Sequence, residues 1–369
     1  MAVTRQEPMR PAVREGADPN DWEAYFDRGV QLFREAPAEA GPYFYWASRL
    51  DPSRAEPLFA RWANFLYRAQ NDDIYAILRR DYSVFEKPAF AAADSLRVRA
   101  LMRNPFVHRG LESLAYDRLP GDFRGGRDTR AWIAYTEGKF KQAVEMHTRT
   151  IERGGPDAVW NRFDRSLASV AAGDLPSGLA DLQELVAELR RREEAQALLE
   201  FYVSKEHLLY MIGLIQNQMG DRVAAREAFG EALLEDASFA YGYVGLAALD
   251  RAARRNADAA GEFSQAVALA GEDGYLHYLQ AEVLFDLRRY AAAASALERA
   301  IALEPWYASP HYLMGRVRER QGREAEAYPH YERFVALSTS GDSRAKSMRL
   351  RLKLRAQAAA DTTSSAQQP

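Results

Sequence analysis

The sequence predicts an all-α fold of stacked, antiparallel helix pairs, and three observations carry that prediction. The first is a 34-residue period that runs from Glu206 through four units without an insertion. With units starting at Glu206, Ala240, Gly274 and Ala308, the eighth residue is Gly213, Ala247, Ala281 and Gly315, and the twentieth is Ala225, Ala259, Ala293 and Ala327. The twenty-fourth is Phe229, Phe263, Leu297 and Tyr331, and the twenty-seventh is Ala232, Ala266, Ala300 and Phe334. A fixed period of this length marks a repeat whose units bury their apolar faces only by stacking on neighbours. The second observation is that each unit holds two helix-length segments with apolar residues three and four apart, the amphipathic helix period. Tyr275 to Leu287 and Ala291 to Leu303 are the pair in the third unit. The third is punctuation: Arg288-Arg289 breaks that pair, and Pro305 follows the second segment, where it ends the hydrogen-bond ladder.

From the N-terminus, residues 1–20 are polar and carry Pro8, Pro11 and Pro19, so a disordered segment is expected there. Residues 21–123 read as a helical block with one degenerate repeat, in which Trp22 to Ala36 and Ala40 to Leu50 form the pair, closed by Asp51-Pro52. Between Ser53 and Arg124 the pattern is helical without a repeat. A repeat array is expected over 124–341. Gly138, Lys139, Phe140 and Ala143 fit a unit starting near Arg124, and Ala158 to Leu189 fits another around Ala172-Gly173. From Gln183 to Gln218 the spacing opens by a helical turn or more around the charged run Arg190 to Glu194. After the four regular units, residues 342–355 read as a basic capping helix and 356–369, rich in Ala, Ser, Thr and Gln, as a disordered tail.

The alanine at the twentieth position, the small residue at the eighth, the aromatic at the twenty-fourth and the proline near the end resemble the tetratricopeptide repeat family. The third unit shows this at Ala281, Tyr290, Ala293, Ala300 and Pro305, and the fourth at Gly315, Gly322, Ala327 and Tyr331. Departures are mild: His277 and His311 stand at the fourth position, and Arg254 replaces the usual turn glycine. The resemblance implies a right-handed superhelical solenoid whose first helices line a concave groove. It places Tyr210, Asn217, Tyr241, Arg251, Tyr275, Tyr278, Glu282, Tyr312 and Arg316 in a partner-binding groove with an aromatic floor. Tyrosine offers contact area and a polar handle at low entropic cost. The family's Lys and Asn clamp for terminal carboxylates is missing, since Tyr210, Leu214, Val244, Ala248, Tyr278 and Glu282 hold those positions. The C-terminal tails of Hsp70 and Hsp90 chaperones are therefore not expected partners.

Composition narrows the function further. The 49 basic and 52 acidic residues nearly balance, so no global field favours nucleic acid or membrane. The chain has no cysteine, which excludes disulfide and thiol chemistry. No secretory leader and no membrane span are read, and a cytoplasmic location is expected. Residues 121–128, Gly-Asp-Phe-Arg-Gly-Gly-Arg-Asp, approach a phosphate loop, but Arg127 and Asp128 replace the required Lys and Ser or Thr. The six histidines lack metal-binding spacing, so no metal or cofactor is expected; His277 and His311 read as packing residues capped by hydrogen bonds. The expected function is a non-catalytic protein–protein interaction scaffold or assembly adaptor that takes a peptide or helix. The alternative is a nucleic-acid or anionic-membrane regulator acting through Arg344, Lys346, Arg349, Arg351, Lys353 and Arg355.

Overall fold

The structure, a computed structural model, describes residues 7–33, 35–78, 95–96, 99–106, 129–154, 158–197 and 203–365. Among them every regular element is a helix. The chain divides into two units, Met1–Leu58 with Gly271–Pro369, and Phe59–Ala270. The near-miss phosphate loop at 121–128 and His108 lie outside the described residues.

In the second unit, α4 (Thr129–Thr136), α5 (Phe140–Arg153), α6 (Ala158–Ala171) and α7 (Leu175–Glu194) are followed by α8 (Lys205–Gln218), α9 (Arg222–Glu235), α10 (Ala240–Ala252) and α11 (Asn256–Leu269). Each packs on the next in order, and the first helices α8 and α10 also touch. In the first unit, α1 (Trp22–Leu32) pairs with α2 (Pro37–Leu50). In the same unit α12 (Gly274–Asp286) pairs with α13 (Tyr290–Leu303), and α14 (Ala308–Arg320) with α15 (Glu324–Leu337). The helix α3 (Ala55–Leu78) begins in the first unit and continues into the second.

The repeat residues do the work their spacing predicts. Ala225, Ala259, Ala293 and Ala327 are each the fourth residue of a second helix, and each is fully buried. The residue four positions on, Phe229, Phe263, Leu297 or Tyr331, is buried beside it. Its ring needs the small eighth residue: a Cβ on Gly213 would lie 2.5 Å from Phe229 Cε1, and one on Gly315 would collide with Tyr331. The hairpin of α1 and α2 repeats the device with Gly29 against Phe44, where a Cβ would come within 2.6 Å of the ring. The turn between paired helices is closed each time by one residue of positive φ, Gly220 (90°), Arg254 (60°), Arg288 (59°) and Gly322 (74°).

Three expectations are corrected or sharpened. Residues 7–20 are not structureless. Trp46 Nε1 donates to the Pro8 carbonyl (3.0 Å), Tyr43 Oη to the Ala12 carbonyl (3.1 Å), and the Arg10 guanidinium stacks 5.1 Å from the Trp46 ring. The prolines prevent a helix, yet aromatic surface on α2 gives the segment something to pack against. The last helix, α16 (Ser343–Ser365), runs well past Arg355 into the tail, where Ala358, Ala359 and Ala360 are strong helix formers. The opened spacing after Gln183 resolves as a long α7 of 20 residues against the 14 of α9. Its charged end is held by ion pairs, Arg190 to Glu231 and Glu235 (both 3.0 Å) and Lys205 to Glu193 (2.6 Å).

Candidate interaction surface

The nine residues expected to line a groove separate by unit and by burial. In the second unit, Tyr210 and Tyr241 are core residues, 4% and 5% exposed. The Tyr210 ring packs 5.6 Å from Phe229 and 5.9 Å from Phe239, and its hydroxyl donates to the Met102 carbonyl at 3.0 Å. Its polar handle is thus consumed inside the fold, as a buried hydroxyl requires, and neither tyrosine offers a contact surface. Asn217, at the end of α8, is exposed, and Arg251 on α10 is half-buried.

In the first unit the other five sit on α12 and α14. Tyr275 and Tyr278, three residues apart and so on one helix face, stack at 6.3 Å with their planes 26° apart. Tyr307, just before α14, meets Tyr278 edge-on at 5.4 Å. The Tyr278 hydroxyl donates to Glu282 Oε1 one turn along (2.9 Å), and burial, followed by the Glu282 charge, pushes its ionisation well above the ordinary tyrosine range. It therefore stays a neutral donor at any physiological pH.

Two arginines extend this face. The Arg316 guanidinium lies 4.5 Å from the Phe285 ring centre and 5.9 Å from that of Tyr312, a cation–π arrangement. Arg344, from the start of α16, lies 5.5 Å from the same Tyr312 ring and 3.2 Å from Asp342. Tyr312 is thus bracketed by two cations while its ring packs on Phe334 at 4.9 Å. Tyr307 is itself buried and supports the Tyr278 ring, and reasoning from the repeat missed Arg344 on this face because it stands outside the first-helix positions that the pattern marks.

His277 and His311 are buried packing residues. His277 Nε2 is 3.0 Å from the Gly271 carbonyl, the hydrogen bond expected of it. His311 is buried with its ring 5.9 Å from His330, and burial holds its pKa down at about 4. Among the described residues no His, Asp and Glu group has the arrangement of a metal site. No described helix is long and apolar enough to cross a membrane.

Helix hairpins of one length, crossing at small residues and presenting first-helix side chains, define a helical-repeat protein. Residues 275–305, the third regular unit, match the model of the tetratricopeptide repeat family. No curated protein sequence matches the chain. Among solved structures, MamA residues 41 to the end from Desulfovibrio magneticus RS-1 shares 19% identity, covering 52% of this chain and 99% of that one at a TM-score of 0.42. The C-terminal part of a TPR repeat-containing protein from Cytophaga hutchinsonii shares 13%, covering 59% and 82% at 0.47.

Proposed function

We propose that this chain is a non-catalytic scaffold or adaptor that binds a peptide or helix of a protein partner on the first-helix face of α12 and α14. The observation that carries this reading is Arg316, stacked on Tyr312 and on Phe285 of α12, the helix that also carries the Tyr275–Tyr278 pair. Aromatic rings there supply apolar area, and the stacked guanidinium supplies donors held in fixed directions. An extended segment or amphipathic helix carrying one apolar anchor and one carboxylate meets both requirements. Tyr278 serves this reading as a neutral donor, its hydroxyl bonded to Glu282.

The test is direct. Tyr278→Ala and Arg316→Glu are made singly and together, partners captured from the native host are identified by mass spectrometry, and the recovered partner is titrated against each protein. Binding is expected to weaken at least tenfold in the double variant while the far-ultraviolet circular dichroism stays that of the parent. Equal affinity for parent and double variant removes this face from the function.

A further inference from the structure

The helix α16 has two apolar stripes, and only one of them is used by the fold. Ala345, Met348 and Leu352 turn inward and pack with Tyr331, Phe334 and Val335 of α15. Leu350 and Leu354, one turn apart, turn outward and are 59% and 56% exposed. At 3.6 residues per turn Lys346, Arg349 and Lys353 fall along the same outward side, spanning two turns. Residues 343–357 contain no acidic side chain. The six cations of this helix then divide in two. Arg344 pairs with Asp342, Arg351 pairs with Glu319 and lies over the Tyr331 ring, and Arg355 stacks on Tyr328. Among the described residues neither Lys346 nor Lys353 forms an ion pair, and Arg349 lies in the field of Asp18.

We propose that this outward face of α16 is a docking surface for an anionic lipid bilayer. Two leucines beside a row of cations are the elements of a helix that lies in the headgroup plane, with the apolar residues pressed inward and the cations drawn to lipid phosphates. Charge complementarity decides the occupant: a helix that contributes no carboxylate of its own over four turns matches a surface of uniform negative charge. A single partner helix would need only a local match at Lys346 and Lys353. The lysine stems also reach past the leucines to the headgroup level. The face shares no residue with the α12–α14 surface, so this inference stands apart from the scaffold reading.

The experiment is vesicle co-sedimentation of the full chain, using phosphatidylcholine vesicles with and without about 30% phosphatidylglycerol. Two shallow leucines and three cations predict weak, reversible attachment, half-bound at about 0.1–1 mM lipid as for other marginal anchors. Pure phosphatidylcholine is expected to bind at least tenfold less, and a rise from 0.1 to 0.5 M salt is expected to release the protein. Lys346→Glu with Lys353→Glu removes the charge row, and Leu350→Ser with Leu354→Ser removes the apolar ridge. All four positions are exposed, so folding is unaffected, and each pair is expected to lower binding tenfold or more. Failure to sediment with anionic vesicles at 1 mM lipid overturns the proposal. Binding that survives both pairs of substitutions, or that is equal on neutral vesicles, overturns it as well.

Discussion

At the scale of single residues, the turn at the fifteenth position of each unit separates two pairs of repeats. Gly220 and Gly322 adopt left-handed φ freely, whereas Arg254 and Arg288 hold 60° and 59° against the crowding of their own Cβ. Arg288→Gly is therefore expected to stabilise the first unit by about 0.5–1 kcal/mol, seen as a higher melting temperature; a lower one would mean that the arginine side chain contributes more than the turn strain costs. Two titrating groups, one buried and one half-buried, give opposite pH signatures. Burial, helped by His330 and Arg333, holds His311 at about 4, below the ordinary 6.5. The folded state thus prefers the neutral ring, and its contribution is complete above pH 6.5 and is lost as pH falls toward 4. His311→Gln is expected to flatten the melting temperature between pH 4.5 and 7, measured by circular dichroism. Glu262 runs the other way. Burial, followed by the adjacent Asp250 charge, raises it to about 8, so the folded state keeps a proton that the unfolded chain releases near 4.5. Stability is then lost as pH rises through that window, and Glu262→Gln is expected to melt higher than the parent at pH 8, with the gap closing at pH 5.

At the scale of elements, the hairpin is set by one crossing repeated in each unit. Ala293 is fully buried where α13 crosses α12, and a larger side chain there has no room to relax without parting the helices. Ala293→Phe is expected to cost about 1–3 kcal/mol, read as a lowered denaturant midpoint at unchanged slope. This part of the fold was legible in the sequence because the crossing depends on residue volume at fixed intervals, which the 34-residue spacing displays. The candidate surface was legible only in part. Position along a first helix tells which way a side chain leaves the helix, but not what lies there. Tyr210 and Tyr241 meet Phe239 and each other and become core. Tyr275 and Tyr278, at matching positions, stack on one face of α12, with the Tyr278 hydroxyl tied to Glu282. The difference comes from neighbours that belong to other repeats and connecting turns, and a repeat pattern carries no signal for them. The alternating leucines and arginines of the last helix give it two apolar sides, and the structure buries one of them.

At the scale of the whole molecule, no pattern in the chain signals that its first residues close onto its last repeats within one unit. Trp46 of α2 meets Trp306 edge-on at 5.0 Å, and Trp306 Nε1 donates to Glu7 at 3.1 Å. Arg49 donates to the Leu303 carbonyl at 3.0 Å and forms a 2.5 Å ion pair with Glu304, whose side chain is 8% exposed. Farther along, Asn20 Nδ2 donates to the Ala336 carbonyl at 2.8 Å. These contacts join residues more than 250 positions apart, so they add little to the local cooperativity of a repeat stack and much to the closure of a long loop. Arg49 supplies the ion pair among them, and removing it takes that pair from a Glu304 side chain that water barely reaches. Breaking a fully buried pair costs about 3–5 kcal/mol, and the partly open Arg49 side chain lowers the expectation for Arg49→Ala to about 2 kcal/mol. Two readouts distinguish loss of closure from a local defect. Amide hydrogen exchange should quicken together in α1, α2 and the 303–307 turn, while α8 to α11 keep their protection. Protection unchanged at 303–307 in the variant would show that the α1–α2 hairpin is held in place by its aromatic contacts alone.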